Sequence, residues 1–264
     1  MTAAITFSAS HVWQLVALFG AAIAGGAVNA LAGGGSVITF PVLLFVGVGP
    51  ILASATNTVA IWPASVAGAF GFRRDVKGAP ATMSWLLVPS VVGGTLGALL
   101  LLHTPTHVFE LIAPYLVLAA TVLLAVQGRI SRRVHRDPRK AHAPRWWVAA
   151  VLVQLAVSVY GGFFGAGIGI LMLATLGLIG FTDIHRMNGL KNLYATFING
   201  AALVYFAVSG TVVWPAVAVM VVGAAVGGIG AAGLAHRVGR RTVRRLIVVI
   251  GIAMTIALIV RIYA

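Results

Sequence analysis

The chain has no cysteine and only four acidic residues among its 264 positions. Without cysteine there is no disulfide framework, no thiolate metal site and no cysteine nucleophile. The four acids, Asp75, Glu110, Asp137 and Asp183, all fall outside the deep parts of the apolar segments. That argues against an intramembrane proton relay or a carboxylate sodium site. Charged residues of both signs make up 8% of the chain and hydrophobic residues 60%, against roughly 25% charged in a soluble domain. A water-soluble fold is excluded on that ground. The seven histidines lie in breaks or at segment ends, with no helical His pair flanking a glutamate, so neither a metal nor a cofactor is expected. Met1 to Ser10 has no basic stretch and no small-residue cleavage site, so no cleavable signal peptide is expected.

What the chain does have is long apolar runs. They occupy approximately 11–32, 36–49, 51–72, 82–102, 107–127, 146–164, 168–181, 190–208, 212–235 and 243–263. The expected fold is therefore an all-α polytopic membrane protein of ten helical segments. Segments 36–49 and 168–181 hold only about 14 residues, or ~21 Å of helix, short of a ~30 Å hydrocarbon core. Each follows a glycine cluster, Gly33-Gly34-Gly35 or Gly165-Ala166-Gly167-Ile168-Gly169. Eight long helices and two half-helices are predicted.

The net charge of +14 is a matter of topology, not of nucleic-acid binding. Seventeen of the 18 Lys and Arg fall in four stretches: 73–77, 129–145, 186–191 and 237–245. The connections near Gly49, His103 to His107 and Ser209-Gly210 carry none. By the positive-inside rule the basic stretches are cytoplasmic, which predicts a multi-pass protein of the inner (plasma) membrane with both termini outside. For 129–145 and 186–191 to share a side, the chain between them crosses an even number of times, so the glycine break is a turn between antiparallel arms.

Residues 1–128 and 146–264 read as two repeats around the basic cytoplasmic loop 129–145. Ala32 to Gly35 matches Ala166 to Gly169, Asn57 matches Asn192, Gly93 and Gly97 match Gly223 and Gly227, and Val108 and Leu111 match Val243 and Leu246. The offset stays near ~130–135 residues, the kind of internal similarity seen in repeat-built transporters. Five segments per half is an odd number, so the second repeat is expected upside down relative to the first.

The run Ala32-Gly-Gly-Gly-Ser-Val-Ile-Thr-Phe-Pro-Val-Leu-Leu44 resembles the signature of the TauE/SafE family, the sulfite exporter or probable membrane transporter proteins. The likeness extends to Gly165 to Leu173, Ala53 to Asn57, the glycine-rich stretches Gly93 to Leu99 and Gly223 to Ala231, and the basic central loop. It implies transport of a small anion such as sulfite, a sulfonate or a related organosulfur anion, with no chemistry done on the substrate. The second half departs from the pattern, with Ile168 in place of a glycine and Thr175 at the position matching Pro41.

A helix that starts inside the membrane presents unpaired N–H groups and a positive dipole end, both attractive to an anion. The candidate substrate-binding residues follow from that: Gly33, Gly34, Gly35, Gly167 and Gly169 at the breaks, with Asn29, Ser36, Asn57, Thr58, Lys191 and Asn192 beside them. Each has a plainer reading. The glycines serve close helix packing, Asn57 and Asn192 make interhelical hydrogen bonds, and Lys191, read as lying at the start of its segment, snorkels to the headgroups. The function expected is a secondary transporter working by alternating access. The alternatives are an anion channel and an accessory subunit without a pathway of its own. An intramembrane enzyme lacks the nucleophile and base it needs. The expected partners are the small anion and the lipid bilayer, not nucleic acid. The Gly93-x-x-x-Gly97 and Gly223-x-x-x-Gly227 pairs suit helix contacts within one protomer or across a homodimer.

Overall fold

The computed structural model describes residues 12–77, 81–133, 144–179, 181, 183–238 and 240–263. The predicted leaderless stretch Met1 to Ser10 and most of the predicted basic loop, with Asp137, lie outside these. The described residues form eleven α-helices and one 3-10 turn, with no strand. They are α1 (Val12–Ala32), α2 (Ser36–Phe45), α3 (Pro50–Gly71), the short α4 (Arg73–Lys77), α5 (Leu87–His103) after the 3-10 turn Ala81–Leu86, and α6 (Thr106–Arg133). The second half runs α7 (Pro144–Phe163), α8 (Ile168–Leu178), α9 (Ile184–Val208), α10 (Trp214–Val238) and α11 (Arg240–Tyr263). With α4 set aside, these are the ten predicted segments. By length and composition, Val12–Asn29, Met83–His103 and Thr106–Val126 are each apolar enough to cross a membrane, and five shorter apolar helices accompany them. The protein is a polytopic helical membrane protein.

The glycine breaks are real turns. Gly33, Gly165 and Gly167 have φ of 75°, 74° and 76°, a left-handed conformation that costs any residue with a Cβ about 1–2 kcal/mol. The 10-residue α2 and the 11-residue α8 follow them. Each is ~15 Å long at 1.5 Å per residue, half of a hydrocarbon core.

Of the predicted boundaries that move, one bears on the site. The eighth apolar segment was expected from residue 190, but α9 begins at Ile184 because Asp183 caps it, its carboxylate accepting from the N–H groups of His185 and Arg186. A hydropathy reading starts where the polar residues stop, whereas a cap stabilises the polar first turn as helix. Lys191 is thereby placed two turns inside α9 and is only 5% exposed.

Packing follows a pairwise exchange. The broadest contacts are α1 with α10 and α5 with α7, while α3 and α9 cross at the centre. Swapping α1, α2, α3, α5 and α6 for α7, α8, α9, α10 and α11 carries the main contacts onto one another, including α3–α10 onto α9–α5 and α2–α11 onto α8–α6. The glycine pairs explain the closeness. A Cβ on Gly93 or Gly97 would run into Ser158, Val159 and Gly162 of α7, and one on Gly223 or Gly227 into Phe19, Ala22 and Ile23 of α1. Both pairs thus pack helices within one protomer.

Phe40, Phe109 and Phe164 are buried and pack ring against ring, and Phe163 meets Phe109 edge-on. The rings of Phe40 and Phe164 lie 4.9 Å apart, and those of Phe109 and Phe163 5.6 Å apart. This cluster packs the core beside the start of α6.

Candidate functional site

The two glycine breaks meet. A Cβ on Gly33 would lie 3.1 Å from the Cα of Gly169, and one on Gly169 would lie 3.0 Å from the Cα of Gly33. Only glycine permits that approach, so the first turns of α2 and α8, one from each half, face a common point. No acceptor among the described residues takes the N–H of Ser36 or of Gly169, as expected for first-turn donors.

Lys191 enters at the same point. The Cβ position of Gly33 is 3.5 Å from the Lys191 ammonium nitrogen, and that of Gly169 is 3.2 Å from its Cδ. The aliphatic stem lies along the glycine surface of α8 and the charged end reaches the turn after α1. No hydrogen bond or ion pair engages this ammonium among the described residues. Snorkelling to the headgroups is not what the side chain does: it points inward.

A small cavity of about 30 Å³ opens here. Asn29 of α1, Gly33, Ser36 of α2, Thr58 of α3, Gly169, Lys191 and Asn192 all line it. The structure thus gathers seven of the eleven residues singled out from the sequence. The side chains of Asn29, Ser36, Asn192 and Lys191 have no hydrogen-bond partner among the described residues, whereas the Thr58 hydroxyl donates to the Ser54 carbonyl at 3.0 Å.

The other four lie away from the wall. Gly34 and Gly35 belong to the turn itself, Gly35 packing on the Gly25 carbonyl, and Gly167 caps α8 against Ala120. Asn57 is 1% exposed and its side-chain oxygen accepts the Thr39 hydroxyl, tying α3 to α2. Its repeat mate Asn192 has no such tie because Leu173 stands in α8 where Thr39 stands in α2. One asparagine is therefore locked in an interhelical hydrogen bond and the other faces the cavity.

Sequence reasoning missed Ser65 of α3 and Asn199 of α9, both buried and both lining the cavity. The signal was available. Thr58, Ile61 and Ser65 stand at i, i+3 and i+7, and Asn192, Ala195 and Asn199 repeat that spacing, so each trio shares one helix face. Ile61, Ala195 and Ile168 give this otherwise polar wall an apolar side. Ile168, the departure from the glycine pattern, fills space against Gly161. Trp62 is a packing residue whose indole N–H donates to the Thr196 carbonyl at 3.0 Å.

Among the described residues, no acid lines the cavity. Asp183 is occupied as the α9 cap, and Asp75 and Glu110 sit in α4 and the second turn of α6. With a fixed cation, unpaired amides, a free hydroxyl and two helix starts, the arrangement offers donors to an oxyanion and nothing that would repel one.

Comparison with known proteins agrees on the class. The family model described as Sulfite exporter TauE/SafE matches residues 18–258. The chain is 27% identical to a probable membrane transporter protein of Haemophilus influenzae, covering 86% of this chain and 88% of the relative. It is 28% identical to the probable membrane transporter protein YfcA of Escherichia coli K12, covering 92% and 88%. A probable membrane transporter protein, ORF9, of a Sinorhizobium species is 27% identical over 93% and 92% of the two chains. No solved structure matches.

Proposed function

Because this chain belongs to the sulfite exporter TauE/SafE family and is a membrane transporter, we propose that it carries a small oxyanion, sulfite, a sulfonate or a related organosulfur anion, through the cavity at Lys191 by alternating access. One observation carries the reading. The ammonium of a buried lysine stands where two helix starts from opposite halves meet, and it and the amide and hydroxyl groups around it have no partner among the described residues.

The arrangement supports a carrier in two ways. The half-helices α2 and α8 are each long enough to cover only half of the membrane, so their starts fall near its midplane, where repeat-built transporters hold their substrates. The packing exchange between the halves fits an alternation between two related states, and five segments per half fit a second repeat inverted relative to the first. We read the cluster of Phe40, Phe109, Phe163 and Phe164 as the seal of the route on the α6 side, and that side as external by the absence of basic residues at His103 to His107.

The test is uptake and counterflow of labelled sulfite and a small panel of sulfonates in proteoliposomes, with Lys191→Gln and Asn192→Ala beside the parent. Saturable flux is expected, with apparent affinity reduced about tenfold or more in Lys191→Gln, the loss of a charge-assisted hydrogen bond. Flux that rises linearly with concentration and shows no counterflow would make the protein a channel. No flux for any anion in the panel would leave it an accessory subunit.

A further inference from the structure

On the reading that the Lys191 cavity binds the transported anion, we infer that the protein is an obligatory exchanger of monoanions, because the empty site holds one positive charge with no counterion. Lys191 is 5% exposed, and its stem is packed on Gly169 with its ammonium beside Gly33. None of the described acids pairs with it. Asp183, the nearest in sequence, spends its carboxylate on the N–H groups that open α9. The N–H groups of Ser36 and Gly169, without an acceptor among the described residues, add partial positive charge of the same sign.

Alternating access obliges the site to pass through an occluded state in which neither mouth is open. An uncompensated charge is most costly there, because water has been withdrawn and nothing replaces it. A bound monoanion cancels the lysine and lets the loaded carrier through as a neutral pair. The empty carrier must move a bare ammonium instead. Turnover is therefore fast when each anion carried one way is replaced by another carried back, and slow when the site must return empty. The same balance selects the substrate's charge: a sulfonate, hydrogen sulfite or a carboxylate neutralises the site, whereas sulfate leaves it with an excess negative charge.

The experiment uses the full-length protein in liposomes loaded with a labelled short-chain sulfonate. With potassium equal on both sides and valinomycin present to hold the membrane potential at zero, efflux is compared into buffer with no permeant anion, with the unlabelled sulfonate, and with sulfate. The expected result is efflux at least about tenfold faster with external sulfonate than without, since a cost of one or two powers of ten in rate is small beside that of a bare charge mid-membrane. Sulfate should accelerate little. In Lys191→Gln the two rates should become equal, while Lys191→Arg, which keeps the charge, should retain the difference and show that a substituted site still folds.

Equal rates with and without external sulfonate in the parent, while counterflow remains saturable, would overturn exchange and leave the transporter reading standing. So would net efflux raised to the exchange rate by an imposed pH gradient, since Lys191 would then shed its charge as a proton. Absence of saturable flux would overturn both readings together.

Discussion

At the residue scale the two asparagines at matching positions of the repeats part company. Asn57 is buried against Thr39 of α2, and Asn192 faces the cavity with its amide unpaired. Removing the Asn57 amide leaves the Thr39 hydroxyl only its longer bond to the Gly35 carbonyl, a loss of about 0.5–1.5 kcal/mol. Asn57→Ala is therefore expected to lower the thermal unfolding temperature in detergent while the half-saturating anion concentration stays within about twofold. Asn192→Ala should do the reverse. If Asn57→Ala weakens affinity at unchanged stability, the assignment of the two roles is wrong. Gly33 makes a second case, since φ of 75° and a neighbouring Cα at 3.1 Å leave no room for a methyl group. Gly33→Ala is expected to abolish transport, because the turn must widen and carry α2 away from Lys191, with the protein still inserted in the membrane by fractionation.

At the element scale, close packing of α1 on α10 and α5 on α7 rests on single missing methyl groups. A Cβ on Gly97 or Gly227 would overlap backbone atoms of the facing helix, and overpacking of that kind costs about 1–3 kcal/mol. Gly97→Ala and Gly227→Ala are each expected to lower the unfolding temperature, and by similar amounts, because the two contacts correspond under exchange of the halves. A destabilised Gly97→Ala beside an unaffected Gly227→Ala would break that correspondence. Most elements were legible in the sequence, because helix extent in a membrane follows apolar run length and the glycine clusters announced the turns before Ser36 and Ile168. The start of α9 was not, because the Asp183 cap holds a polar turn that hydropathy reads as loop. That one boundary hid the inward position of Lys191. Ser65 and Asn199 escaped notice for a different reason: they become neighbours of Lys191 only once α3 and α9 cross.

At the scale of the whole molecule, orientation rests on charge, and geometry makes it testable. Gly189, near the start of α9, packs on Phe72 and Val76, so that start lies beside the basic α4. The 25 residues of α9 then carry the chain ~37 Å, more than the ~30 Å of a hydrocarbon core. Lys77 and Ser209 must therefore lie on opposite faces of the membrane, and the positive-inside rule puts Lys77 in the cytoplasm. Because the chain has no cysteine, a single introduced thiol reports its own position without background. In intact cells a membrane-impermeant maleimide is expected to label Ser209→Cys and His107→Cys, both on exposed positions, and to reach Lys77→Cys only after the membrane is permeabilised. Labelling of Lys77→Cys from outside would turn the molecule over. The basic stretches would then face outward against the rule, and the phenylalanine seal would close the cytoplasmic side of the cavity.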